Sequence, residues 1–216
     1  MESTRQYFRE QLERIGYTVV LPRDSGVAMF PSGLLTAFLD SEYSLHTDCF
    51  YPYLNYYNVE VFANKGFHMM NLVQKSDRKH LTILNTHTQA TTEVSWLFGN
   101  TRVDRARSEQ MQQIVQCTAH IKAPILLIGD LNCERSPHPY IRFLHTPALK
   151  KHTFPSTGED LDHIGWFPLQ YARKDCGFCD IEKHGPVMES CEIVPLRFSD
   201  HFPVVYTVRI PQPTIR

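Results

Sequence analysis

The first segment, "TRQYFREQLERIG", repeats its apolar residues Tyr7, Phe8, Leu12 and Ile15 at the spacing of one helix face, and Gly16 closes it. The pattern then shortens into apolar runs of strand length: "YTVVL", "VAMF", "GLLTAFL", "NVEVFA", "HMMNLVQ" and "HLTILNTH", most of them separated by polar, Gly or Pro breaks. Residues 104–120 return to helical periodicity, with Met111, Ile114, Val115 and Ala119 on one face, and form the strongest predicted helix. After it comes "APILLIGDLN", too apolar to be a half-exposed strand, and then a short helix is predicted near 138–145. The last third reads as strands again, in "LDHIGWFP", "MESCEIVPL" and "FPVVYTVRI". This order predicts a mixed α/β protein built on packed central sheets.

Composition narrows the picture only a little. The 216 residues fit a single domain, 1–216, with no internal linker or repeat. Lys plus Arg (22) nearly balances Asp plus Glu (23), so no global field draws the chain to nucleic acid or to an anionic membrane. No apolar run reaches membrane-spanning length, and "MESTRQYFREQ" has no signal-peptide core. An intracellular, cytoplasmic chain is expected. The six cysteines (49, 117, 133, 176, 179 and 191) are irregularly spaced, as free thiols in a reducing compartment would be. Cys176 and Cys179, with His184 and Cys191 nearby, make only one close pair, and a loop of free thiols accounts for them better than zinc.

Chemistry enters where polar residues fall at strand ends. "LTILNTHTQA" runs apolar and then presents Asn85 and His87, and "ILLIGDLN" presents Asp130 and Asn132. "EDLDHIGWF" and "RFSDHFPVVYTV" reverse the order, placing Asp162 and the pair Asp200 and His201 just ahead of apolar runs. If these strands are neighbours, all of these residues gather at one edge, where α/β folds commonly assemble sites. Carboxylates and a carboxamide are hard oxygen ligands for Mg²⁺ or Mn²⁺, and histidines contact phosphate or move a proton near neutral pH. That inventory suits metal-assisted attack of water on a phosphoester.

Taken singly, each segment has an ordinary explanation. "SDH" before a strand is usually a turn with an Asp cap, and Asn85 could hold its loop through backbone hydrogen bonds. Arg102, Arg105 and Arg107 read as a solvated helix face, and "CFYPYLNYYNVEVF" as core packing or an aromatic-rich loop.

Together, "ILNTHTQA", "LLIGDLN", "DLDHIGWF" and "FSDHFPVVYTV", in this order, resemble the endonuclease/exonuclease/phosphatase superfamily, whose members include deoxyribonuclease I and neutral sphingomyelinases. "SGLL" at 32–35 and "ANKGFHMMNL" at 63–72 are similar to its sphingomyelinase-like and general hydrolase branch. The resemblance implies a four-layer sandwich, two central mixed β-sheets flanked by helices, with a divalent-metal site at one end. It implies that Asp200 and Asp130 serve the metal, that His201 is the base or acid, and that Asp162 orients His201. By the same resemblance Asp130 aligns the water, Asn132 holds a phosphate oxygen, and His87 binds phosphate or steadies the leaving side, with Asn85 beside it. The family's two opening strands, which bring an Asn and a Gln-Glu metal ligand, have no counterpart here, so the chain reads as an N-terminally shortened form. The expected activity is a Mg²⁺- or Mn²⁺-dependent phosphodiesterase, the alternatives being a catalytically silent phosphoester-binding homologue and a metal-dependent nuclease. The silent alternative includes a catalytically weak homologue or a fragment of a longer enzyme. The expected partner is the phosphoester substrate, with no obligatory protein partner and no transmembrane segment.

Overall fold

The structure is a computed structural model, which describes residues 2–23, 29–91, 101–121, 123–133, 141–143, 153, 156, 161–167, 187–193 and 204–209. Helix α1 (Glu2–Arg14) leads into the antiparallel pair β1 (Tyr17–Val20) and β2 (Thr36–Leu39). A six-stranded mixed sheet follows, built from β3 (Tyr43–Pro52), β4 (Gly66–Gln74), β5 (His80–His87), β6 (Ile125–Asp130), β7 (Arg142–Phe143) and β8 (Asp162–Phe167). Its strand order is β3-β4-β5-β6-β8-β7. Helix α2 (Thr101–Thr118) links β5 to β6, and the antiparallel pair β9 (Val187–Ile193) and β10 (Val204–Arg209) ends the described chain.

Period-two alternation decides what covers each face of the large sheet. Phe67 and Met69 of β4, Leu84 of β5, and Ile125 and Leu127 of β6 form the main core with Met111 and Ile114 of α2. On the opposite face Met70 and Leu72 of β4 pack against Phe38 of β2, with Val20 and Ile83 at the margin. Helix therefore covers one face and the small sheet the other, and β4 is buried along nearly its whole length.

Three expectations change. "NVEVFA" alternates like a strand but forms a 3₁₀ helix, Asn58–Phe62. Asn58 has φ of 57°, outside the range of a strand, and Val59, Val61 and Phe62 are all more than half exposed, so no sheet face takes them. The short helix expected near 138–145 is, at its described core, strand β7, paired with Trp166 and Gly165 of β8. The apolar face predicted for α1 is left largely uncovered: Tyr7, Phe8 and Ile15 are exposed, and of that face only Leu12 is partly buried. Strand β3 was not legible at all, because its middle residues are exposed and polar, as an edge strand permits. A register shift between Leu45 and Thr47 bends that edge. Of the "VAMF" run only Met29 and Phe30 lie within the described residues, where Phe30 bridges Ala63.

Candidate active site

β5 and β6 run parallel and β8 returns antiparallel, so two strand exits and one strand entry share an edge. Register places His87 opposite Asp130, and Asp130 opposite Asp162. Paired residues point to the same face of a sheet, so the three form one row. It lies on the face toward the small sheet, since Asn85, two residues from His87, reaches across to Leu35 and Thr36.

Within the row, His87 Nε2 stands 3.5 Å from Asp130 Oδ2, with the imidazole 41% exposed and the carboxylate 18%. The other carboxylate oxygen is fixed from behind: Asn132 donates its backbone N–H to Asp130 Oδ1 at 2.9 Å, an Asx turn. Asn132 itself sits at φ 48°, a left-handed conformation that Asn tolerates. Its Nδ2 donates to the Thr88 carbonyl at 3.2 Å. The ladder runs one step beyond the row on both sides, through Thr88 N–H to Asp130 O (3.0 Å) and Leu131 N–H to Leu161 O (2.9 Å). Buried Thr153 accepts the amides of Leu161 and Asp162 on its hydroxyl, fixing the start of β8. His163 donates Nε2–H to the Cys133 carbonyl at 2.8 Å and so braces the far side of the 130–133 turn. Burial pushes the Cys133 thiol up to about 12, leaving it unreactive.

The row is tight because of Gly129. Its φ is +131°, and a Cβ there would lie 2.0 Å from the Thr86 carbonyl oxygen. Only glycine lets β5 and β6 approach this closely one residue before Asp130.

Behind the row lies a buried polar cluster that sequence reasoning missed. Lys65 donates Nζ to the Thr88 carbonyl at 2.7 Å and pairs with Glu60; both side chains are largely buried. Burial pushes the Lys65 ammonium below its usual range, against the upward pull of Glu60 and Asp130. Arg107, expected on a solvated face, is instead buried, with Nε on the Gln89 carbonyl and Nη1 on Asp104. Arg102 and Arg105 of the same helix are exposed, as expected. One signal was available: Arg107 and Gln110 lie seven and four residues before Ile114, so they occupy the buried stripe of α2.

Asn85 is placed one rung deeper than the row, and its Nδ2 donates to Leu35 O and Thr36 Oγ1, both at 3.0 Å. Thr36 Oγ1 also meets His68 Nδ1, and His68 Nε2 meets Asp48, each at 3.4 Å. Asn85 thus joins a network tying the two sheets together. Asp200 and His201 lie outside the described residues, as do Cys176, Cys179 and His184.

The two carboxylates in the row are hard oxygen donors, the type that Mg²⁺ or Mn²⁺ prefers, and Asp130 and Asp162 occupy directly paired positions. Among the described residues no group of three or more His, Cys, Asp or Glu converges on one point that could hold a metal. No described helix is long and apolar enough to cross a membrane.

No protein-family model matches the chain, and no curated protein sequence does. Solved structures do. An endonuclease/exonuclease/phosphatase from Bacteroides vulgatus superposes with a TM-score of 0.66 at 15% identity, covering 95% of this chain and 80% of that one. SmcL superposes at 0.62 and 21% identity, covering 94% and 79%. The human Nocturnin catalytic domain with bound sulfate anion gives 0.59 at 17% identity, covering 94% and 78%. The chain has the endonuclease/exonuclease/phosphatase fold.

Proposed function

We propose that the chain is a divalent-metal-dependent phosphoester hydrolase, acting on a phosphodiester, that adds water to phosphorus. The observation that carries this reading is the row His87, Asp130, Asp162 at one sheet edge, with the Asn132 carboxamide beside it. The likeness in fold to an endonuclease/exonuclease/phosphatase supports it, as does the sulfate, a tetrahedral anion, bound by the Nocturnin domain.

In this reading Asp130 accepts a proton of the attacking water. Its Oδ1 is held by the Asn132 amide, so the carboxylate is oriented before substrate arrives. Asn132 spends one N–H on Thr88 and keeps a second for a phosphate oxygen. His87, more exposed than Asp130, donates to phosphate or to the leaving oxygen. Asp162 orients His201, which acts as the second proton-transfer group. Asp130 and Asp200 would hold Mg²⁺ or Mn²⁺, which when bound offsets the charge that develops on phosphate. The substrate class follows from charge balance only by exclusion. With 22 basic against 23 acidic residues, a non-nucleic-acid phosphodiester is favoured over duplex DNA.

The test is hydrolysis of bis(p-nitrophenyl) phosphate with and without Mg²⁺, beside Asp130→Asn and His201→Ala. Metal-dependent turnover lost in both variants is the expected result. Turnover equal in wild type and variants would overturn the assignment. Binding of inorganic phosphate without turnover would mark the chain as a silent phosphoester binder, and binding to duplex DNA that weakens steeply with salt would point to a nuclease.

A further inference from the structure

Gln89 is two residues beyond His87 and 1% exposed, yet every polar atom of its backbone and side chain is engaged across three elements. Its backbone is gripped by α2: its N–H donates to Gln110 Oε1 at 2.9 Å, and its carbonyl accepts from Arg107 Nε at 2.8 Å. The side chain turns the other way. Oε1 accepts the Tyr57 N–H at 2.9 Å, while Nε2 donates to the carbonyls of Tyr57 (3.2 Å) and Ala90 (3.1 Å). A carboxamide that pairs with both backbone groups of one residue imitates a strand neighbour, and it fixes register as a strand would.

The segment so held, 54–62, is placed mostly by polar ties: besides Tyr56, which packs against the main core, Glu60 reaches Lys65 and the Ala90 amide. Leu54, Val59, Val61 and Phe62 point into solvent, and its 3₁₀ helix has no buried residue. Its other ties are also polar: Gln110 Nε2 donates to Asn55 O, and Gln113 Oε1 accepts the Leu54 N–H. Buried polar groups, the Gln89 and Gln110 carboxamides foremost among them, therefore act beside Tyr56 in setting the distance between this segment and the end of β5.

We infer that Gln89 is a positioning residue for His87: it locks the end of β5 to segment 54–62 and so fixes the height at which the imidazole stands beside Asp130. The inference rests on the hydrolytic reading for its kinetic consequence, but its structural consequence can be read without turnover. Gln89→Met fills the same volume and leaves Tyr57 unpaired; Gln89→Asn keeps a carboxamide one methylene too short to reach both Tyr57 groups.

The experiment combines kinetics with amide hydrogen exchange. Gln89→Met is expected to lower kcat about 10- to 100-fold with KM within about threefold, since misplacement of a reacting group acts mainly on the chemical step. In a His87→Ala background the same substitution is expected to cause no further loss, because a residue acting through His87 has nothing left to position. The Thr88 amide, bonded to Asp130 O, is expected to exchange at least about tenfold faster in Gln89→Met, with Met111 and Ile114 in α2 unchanged. Gln89→Asn should show the same pattern at smaller size. Losses that multiply with His87→Ala, or an unchanged Thr88 amide, would overturn the proposal. If wild type fails to turn over any phosphodiester, the hydrolytic reading falls, and Thr88 exchange still decides whether Gln89 holds the strand end.

Discussion

His87 Nε2 lies 3.5 Å from Asp130 Oδ2 because the two residues are direct partners in a parallel strand pair, not because a loop happens to bring them together. Substituting either should therefore remove chemistry and leave the sheet intact. His87→Ala is expected to lower phosphodiester turnover about 100-fold or more, with under about 1 kcal/mol of stability lost, because the ring is substantially exposed. Asp130→Asn keeps an acceptor for the Asn132 amide and should lose turnover to a similar degree with an unchanged melting curve. Parallel measurement of kcat and Tm on both variants checks this.

Gly129→Ala should instead damage the sheet itself. The added Cβ collides with the Thr86 carbonyl in a backbone conformation that L-residues rarely adopt. A loss of about 3 kcal/mol or more is expected. For a chain of this size that is a fall in Tm of roughly 6–12 °C. Turnover should fall with it, since Asp130 is the next residue. Scanning calorimetry that finds wild-type stability would contradict the strand spacing described.

His68 makes stability depend on pH. Burial between the sheets pushes its imidazole below the ordinary value of 6.5, and Asp48 only partly opposes this. The folded protein therefore resists a proton that the unfolded chain accepts. Stability from this group is fully present above about pH 6.5, falls as pH drops through that value toward the depressed folded pKa, and levels off below it. Urea midpoints at pH 7.5 and 5.5 should differ more for wild type than for His68→Asn. Equal differences would assign the acid sensitivity elsewhere.

Thiol reactivity should separate the described cysteines. Cys49 is exposed on edge strand β3, whereas burial raises both Cys117 and Cys133, the latter to about 12. Under native conditions at pH 8, Cys49 should alkylate first and Cys133 only on unfolding. Peptide mapping after a short iodoacetamide pulse reads the order, and early labelling of Cys133 would show that the turn after β6 opens.

Removing the buried cation behind the row should cost more than removing a surface one. Lys65→Met leaves the largely covered Glu60 carboxylate without its ammonium and the Thr88 carbonyl with one donor fewer. A loss of about 3–5 kcal/mol is expected, and the double variant Lys65→Met, Glu60→Leu should regain part of it. Chemical denaturation of the three proteins measures the difference.

What was legible in the sequence follows from where periodicity carries meaning. β4, β5, β6 and α2 are covered on a face or on both, so their apolar spacing is enforced and their positions read directly. The residues of the row were legible for the same reason: each bounds an apolar run where a strand ends or begins. β3 and the 3₁₀ helix at Asn58–Phe62 were not, because one is an exposed edge and the other is placed by carboxamides from distant segments. The supporting cluster of Lys65, Gln89, Arg107 and Gln110 shares this obscurity. A buried polar residue has no local spacing rule; its partners are set by tertiary contacts, and the sequence marks it only as an interruption in an apolar stripe.

The parallel pairing of β5 with β6 has a kinetic consequence. β4 meets β5 through a tight reversal, so that pair can close early, whereas Thr82 meets Ile125 only after the whole connection carrying α2 has folded back. Loop-closure entropy makes such a non-local contact late, and the antiparallel addition of β8 comes later still. The row His87, Asp130, Asp162 is thus completed in the last steps of sheet assembly. During refolding, recovery of turnover should lag the return of secondary structure, and a nascent chain released from the ribosome would acquire its chemistry only once its final central strand has docked.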